Sequence, residues 1–198
     1  HTSTRSGQWE QMNIKPAELQ GKVWGIVGLG YIGRMVAERL QPFRLNRILY
    51  YDILRQEPSV ERKLGVEYAG MAELLSQADV ISLHAPLTES NRAIINQSAL
   101  NAMKPSAYLI NVARAELVDE QALAEAIRRG TIAGAGIDVF SEEPISSNNP
   151  LLGVESEKLL FSPHVAGVTD EGAGRIINMA AANIARQLKR EKLVSLVN

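Results

Sequence analysis

The sequence predicts a doubly wound α/β fold. Short, nearly continuous apolar runs alternate with longer amphipathic stretches, and a glycine-rich turn joins the first run to the first such stretch. Near-continuous apolar strands are what a parallel sheet requires, because helices cover both of its faces. Runs at 23–27, 48–51, 66–68, 80–83, 108–112, 135–139 and 159–161 read as strands. Helical patterns occupy 31–40, 71–77, 97–103, 120–129 and 169–191. Asp119 stands where the fourth of these needs an N-cap, and Gly130 where it needs a stop. The Ser-, Asn- and Pro-rich stretch 141–153 is an expected irregular loop after the sixth strand.

A chain of 198 residues with 45% hydrophobic content supports one principal core. Residues 1–20 read as a lead-in linker and helix, 21–190 as the domain, and 191–198 as a tail. Lys and Arg total 21 against 22 Asp and Glu, leaving no positive surplus for nucleic acid or anionic lipid. The apolar stretch 23–33 is interrupted by glycines and is far shorter than the roughly 20 residues of a membrane helix. No secretory signal is evident in 1–7. With no cysteine, disulfides, thiolate nucleophiles and Cys-ligated zinc are excluded, which fits a reducing, cytoplasmic setting. No metal site is expected.

Gly28-Leu29-Gly30-Tyr31-Ile32-Gly33 fits G-x-G-x-x-G between a predicted strand and a predicted helix, the context in which that motif carries meaning. Gly28 permits the tight turn, Gly30 admits a pyrophosphate to the backbone, and Gly33 lets helix and strand approach. The helix N-terminus then offers free amides and the positive end of its dipole. Asp52 follows Gly33 by 19 positions, directly after the second strand, where a carboxylate accepts both hydroxyls of an adenosine ribose. The same carboxylate repels a 2′-phosphate, so NAD is expected over NADP, with nearby Arg55 as the tempering cation. Neither a kinase loop set nor a Walker A lysine is present.

Ligands of open parallel sheets sit beyond the carboxyl ends of the strands, and the candidate chemistry lies there too. His84 follows the fourth strand in His-Ala-Pro-Leu-Thr and reads as a cofactor-lining turn rather than a proton shuttle, since Pro86 restricts the backbone. His164 follows the last strand, at the expected ligand edge, and is the candidate acid–base group. Either Asp138 or Glu143 could orient its ring, and a carboxylate on one ring nitrogen favours the imidazolium that protonates an alkoxide. Arg114 ends Leu-Ile-Asn-Val-Ala-Arg and supplies a charged fork suited to a substrate carboxylate.

With these residues in place, the chain resembles the nucleotide-binding domain of the D-isomer-specific 2-hydroxyacid dehydrogenases. The resemblance runs from Arg5-Ser6-Gly7-Gln8-Trp9 through Gly-Leu-Gly-Tyr-Ile-Gly, His-Ala-Pro-Leu-Thr, Leu-Ile-Asn-Val-Ala-Arg, Gly-Ile-Asp-Val-Phe and Ser-Pro-His-Val-Ala-Gly, in family order. It implies a Rossmann-type domain binding NAD and reversible hydride transfer between NADH and a small 2-keto acid. It also implies Arg114, Glu143 and His164 as the catalytic set. By the same resemblance Tyr31 and Ile32 meet the pyrophosphate, while Ala85 and Pro86 border the adenosine part. Val112, Ala113, Ala166 and Gly167 lie along the nicotinamide, with Asp138 near its amide. Ala115-Glu116 replaces a glycine pair frequent in the family, a departure that bears on substrate preference.

Family members also carry a substrate-binding domain absent from these residues, so NAD binding without appreciable turnover is expected of this chain alone. An alternative reading is an NAD-sensing, corepressor-like interaction protein that shares the fold. A third is another Rossmann dehydrogenase, for which Arg114 and His164 lie far apart. Apolar positions at 99–103 and 117–123 are expected to supply an exposed face for a homodimer.

Overall fold

The structure, a computed structural model, describes residues 5–7, 16–154 and 157–195. Gln8 and Trp9 of the lead-in segment, most of its expected helix, and the last three residues of the tail lie outside the described residues.

Seven strands form one parallel sheet: β1 (Val23–Val27), β2 (Arg47–Tyr51), β3 (Glu67–Tyr68), β4 (Val80–Leu83), β5 (Tyr108–Asn111), β6 (Gly134–Ile137) and β7 (Leu159–Phe161). Their order is β3-β2-β1-β4-β5-β6-β7, with every neighbouring pair parallel. The chain builds outward from β1 to β3, then crosses back to lay β4 on the other side of β1. Between β1 and β4, therefore, lies the switch point at which such sheets open a crevice.

The described residues form six α-helices, of which the first five cover the sheet: α1 (Tyr31–Leu40), α2 (Pro58–Leu64), α3 (Met71–Gln77), α4 (Gln97–Ala102), α5 (Glu120–Arg129) and α6 (Asp170–Leu188). Helix α2 was not expected. It begins with Pro58 in its first turn and ends on Gly65 at φ +60, the two positions these residues favour. Asp119 caps α5 through a 2.9 Å bond from Ala122 N, and Gly130 closes it at φ +69.

Alternation along the strands divides the apolar residues between two cores. Ile26, Ile48 and Tyr50 face one way and pack with Leu29, Ala37, Leu40 and Leu64 beneath α1 and α2. Val27, Leu49, Ile81, Leu83 and Leu109 face the other way, against α3, α4 and α5. This second core corrects one expectation. Ala99, Leu100 and Met103, like Leu117, Val118, Ala122 and Leu123, are buried in it and offer no exposed face. The sheet needs them, since α4 and α5 have no other apolar stripe with which to cover β4–β6.

Helix α6 behaves in the opposite way. None of its residues is buried, and Ile176, Ile177, Ile184 and Leu188 are each at least 64% exposed.

Candidate dinucleotide and acid–base site

The glycine turn leaves β1 at the switch point. Gly28 adopts φ +93, and a Cβ there would sit 2.5 Å from Ala85 N, so the residue must be glycine both for conformation and for space. A Cβ at Gly33 would run into the Gly28 carbonyl oxygen. One at Gly30 would meet nothing within 4 Å. Gly30 is the N-cap of α1 and provides no side-chain cap, while Tyr31 and Ile32 stand exposed beside it. Open amides at a helix N-terminus, facing empty space, fit the pyrophosphate of a dinucleotide.

Asp52 stands at the end of β2 next to this turn. Its Oδ2 accepts from Leu29 N at 2.8 Å, and Gly28 N donates to Tyr51 O at 2.8 Å. The carboxylate is thus held against the glycine turn while remaining half-buried, with Oδ1 toward the loop at 52–57. On the other side of the switch point, His84 N donates to Val27 O at 2.8 Å and brings Ala85 and Pro86 behind Gly28. Its ring nitrogen Nε2 is buried with no partner among the described residues. Burial lowers the His84 imidazole from 6.5 to about 4, so the ring is neutral and unsuited to donate protons near neutrality.

The chemistry-bearing residues leave β5, β6 and β7. These three strands are in register, Asn111 opposite Ile137 and Ile137 opposite Phe161, so their loops emerge side by side. After β5, Asn111 is buried and its side chain shapes the turn. Nδ2 donates to Arg114 O at 2.9 Å, and Oδ1 accepts from Ala113 N at 3.1 Å. Val112 and Ala113 are half-buried, while Arg114 projects into solvent. Its guanidinium donates to Ala113 O at 2.7 Å and forms no ion pair among the described residues. A permanent cation without a counter-ion is available for an anionic ligand.

After β6 come Asp138 and Glu143, and the structure separates their roles. Glu143 Oε2 lies 2.8 Å from His164 Nδ1, while its Oε1 accepts from Phe140 N at 3.1 Å. Asp138, 2% exposed, instead holds the backbone that carries His164. Its carboxylate accepts from Ser162 Oγ at 2.5 Å and from Val165 N and Ala166 N at 2.9 Å each, and its carbonyl accepts from His164 N at 2.8 Å. Burial raises the Asp138 carboxyl, but the hydrogen bonds from Ser162, Ala166 and Val165 overcome that and leave it below the usual carboxylate range. The hydrogen bond from His164 lowers Glu143, with Phe140 N adding to the effect. Both carboxylates are therefore ionised near neutrality.

His164 occupies φ +55, a left-handed conformation uncommon for a side chain with Cβ. The bonds to Asp138 hold it there. With Nδ1 engaged by Glu143, Nε2 is the ring atom left for a ligand, and the side chain is half exposed. Ala166 and Gly167 follow in the exposed turn before α6.

Three contributors escaped the sequence. Ser162 holds Asp138. Glu120, at the start of α5, anchors the loop carrying Glu143 by accepting from Ser141 N, Ser141 Oγ and Asn149 Nδ2. Glu61 on α2 accepts from buried Tyr50 and pairs with Arg55. For Ser162 the available signal was its place one residue after β7, beside the candidate histidine.

An open parallel sheet with a glycine cradle at its switch point and an acid at the end of β2 defines a Rossmann-type dinucleotide-binding domain. The sequence profile of the "D-isomer specific 2-hydroxyacid dehydrogenase, NAD binding domain" matches residues 1–166. The chain belongs to that family. It is 42% identical over 190 residues to a glyoxylate reductase of Korarchaeum cryptofilum, covering 96% of this chain and 56% of that protein. It is 38% identical over 197 residues to a D-3-phosphoglycerate dehydrogenase of Methanocaldococcus jannaschii, covering 99% and 37%. Among solved structures, D-lactate dehydrogenase with NAD+ from Lactobacillus jensenii superposes with a TM-score of 0.87 at 29% identity, covering all of this chain and 62% of that one. The chain thus spans little more than half the length of the glyoxylate reductases it matches. No helix among the described residues is long and apolar enough to cross a membrane, and none of their His, Asp and Glu side chains cluster in a group able to hold a metal.

Proposed function

We propose that this chain is the coenzyme half of an NAD-dependent oxidoreductase acting on a small 2-hydroxy or 2-keto acid, of the glyoxylate, hydroxypyruvate, phosphoglycerate or D-lactate class. The observation that carries the reading is the His164–Glu143 pair at 2.8 Å, at the same sheet edge as the glycine cradle. The amides after Gly30, with Tyr31, Ile32 and Gly33, would hold the pyrophosphate of NAD, and Asp52 would accept from its adenosine ribose. Ala85 and Pro86 would border the adenosine, and Val112, Ala113, Ala166 and Gly167 the nicotinamide. When bound, NAD supplies the two-electron chemistry. Arg114 binds the substrate carboxylate and polarises the carbonyl to be reduced. His164 delivers a proton from Nε2 to the carbonyl oxygen, and Glu143 on Nδ1 stabilises the charged ring beforehand. Oxidation reverses the proton's path.

A substrate-binding part beyond these residues belongs to the same reading, because closure between two domains excludes water from the reacting groups. So does a cytoplasmic setting, which a cysteine-free chain using a diffusible coenzyme suits. Homodimerisation through this domain stays within it, but the expected apolar face is core. The exposed stripe of α6, Ile177, Ile184 and Leu188, is one apolar surface open to self-association. The corepressor-like alternative rests on the shared fold and has no observation of its own.

The test is steady-state turnover of the full-length protein, with glyoxylate, hydroxypyruvate or pyruvate plus NADH, and with 3-phosphoglycerate plus NAD, repeated for His164→Ala. A loss of about 10²–10⁴-fold in the variant is expected. Inactivity on every acid, or turnover unchanged by the substitution, removes the proposal.

A further inference from the structure

Two arginines flank the loop that follows Asp52, although the ribose subsite is read as excluding a phosphate. Arg55 lies three residues after Asp52, within reach of any group bound there. Yet its guanidinium is turned onto α2. Nε donates to Glu61 Oε1 at 3.0 Å and Nη2 to Glu61 Oε2 at 3.1 Å, a two-point pair, and the cation lies 5.5 Å from the centre of the Tyr68 ring.

The anchor of this pair is the acid rather than the arginine. Glu61's side chain is 12% exposed against 61% for Arg55. Its Oε1 also accepts from Tyr50 Oη at 2.7 Å, and Tyr50 is fully buried, accepting in turn from Gln56 N at 2.8 Å. Tyr50 stacks edge to face on Tyr68 at 5.4 Å. A buried tyrosine thus fixes Glu61, Glu61 fixes Arg55, and Tyr68 floors the assembly. An isolated surface pair of long side chains holds little. A bidentate pair with one partner immobilised from below holds a direction.

We propose that Glu61 is a specificity-determining positioning residue: by latching Arg55 against α2 and Tyr68, it keeps a cation away from the ribose 2′ position and leaves Asp52 to select NAD over NADP. This rests on the reading of Asp52 as the ribose acceptor. Arg34 is the other nearby cation, and it is tethered differently, through Nε to Leu29 O at 3.2 Å and Nη2 to Gln56 Oε1 at 2.5 Å. Without the latch, Arg55 is free to swing across the loop and meet a 2′-phosphate, offsetting the repulsion from Asp52.

The experiment is titration of the full-length protein with NADH and NADPH, followed by nucleotide fluorescence. Wild type, Glu61→Gln, Arg55→Ala and the double variant are compared, each checked by circular dichroism. Glu61→Gln keeps an oxygen for Tyr50 but removes the charge and the two-point pair. The expected result is NADPH affinity raised about tenfold, with NADH affinity within about twofold of wild type. In the double variant the gain disappears. Arg55→Lys, which cannot form the two-point pair, shifts the ratio in the same direction and tests the latch even if Glu61→Gln misfolds. An unchanged NADPH-to-NADH ratio in both Glu61→Gln and Arg55→Lys overturns the proposal. So does a gain that survives in the double variant, which assigns the effect to lost negative charge or to Arg34. Binding of neither nucleotide by wild type overturns the dinucleotide reading itself, and the latch with it.

Discussion

His164 Nδ1 lies 2.8 Å from Glu143 Oε2, although the two residues reach that contact from the loops of different strands. Two separate anchors make the contact possible. Asp138 holds the backbone of His164, and Glu120 holds the loop of Glu143.

Replacing Glu143 by Gln removes the carboxylate while keeping its shape. The hydrogen bond from His164 holds the Glu143 carboxyl below its usual range, so the pair persists as pH falls through the ordinary carboxylate region and breaks below it. In the full-length protein, Glu143→Gln is expected to lower kcat by about 10- to 100-fold with little change in NADH affinity. Stopped-flow turnover and a parallel NADH titration check this. A fall in NADH affinity that accounts for the whole loss contradicts the assignment.

The cradle makes a paired prediction from two glycines. Gly28→Ala places a Cβ against Ala85 at φ +93, and is expected to cost roughly 1–3 kcal/mol of stability. Gly30→Ala meets only open space, so its melting temperature should stay within about 2 °C of wild type. Yet it fills the volume a pyrophosphate needs, and NADH affinity should fall by at least about tenfold. Differential scanning calorimetry and fluorescence titration separate the two. A Gly30→Ala variant that binds NADH normally removes that residue from the site.

Asp138→Asn tests the anchor beneath His164. The carboxylate accepts three hydrogen bonds in a buried position, and an amide keeps at most one good acceptor there. A loss of about 1–3 kcal/mol is expected by urea denaturation. The sign with pH follows from the depressed carboxyl of Asp138. Its contribution is complete above the unfolded carboxylate range and disappears as pH drops through the lower folded value. The variant should therefore lose less stability than wild type on acidification below about pH 4.

Much of this was legible in the sequence, for identifiable reasons. The inner strands are visible because helices on both faces make their apolar runs nearly continuous, whereas the edge strands β3 and β7 are largely exposed and show only as short runs; the predicted ends differ from the observed ones by at most two residues. Helix α2 was missed because only Val60 and Leu64 mark its apolar side, too few for a period to emerge, although Pro58 and Gly65 framed it. Local sequence likewise could not choose between Asp138 and Glu143. The choice depends on where a 13-residue irregular loop returns, and Glu120, far upstream, sets that. The supposed dimer face failed for a related reason. Leu100, Leu117 and Leu123 carry the same apolar signal whether a stripe faces a second subunit or this chain's own sheet.

His84 gives a stability prediction independent of any ligand. Its imidazole is held by burial at about 4, whereas in the unfolded chain it titrates near 6.5. Between those values the unfolded state binds the extra proton, so stability is complete above about pH 6.5 and declines as pH falls toward 4. The interval corresponds to at most roughly 3–4 kcal/mol. His84→Leu removes the titrating group and the partnerless Nε2 together, leaving an apolar side chain of similar size among the backbone turns behind Gly28. Urea unfolding at pH 7, 5.5 and 4.5 should show the variant losing stability less steeply than wild type over that range, while at pH 7 the two stay within about 1 kcal/mol. Identical slopes would show that His84 takes up its proton in the folded state as readily as in the unfolded one, and that the ring is solvated rather than shut behind the glycine turn.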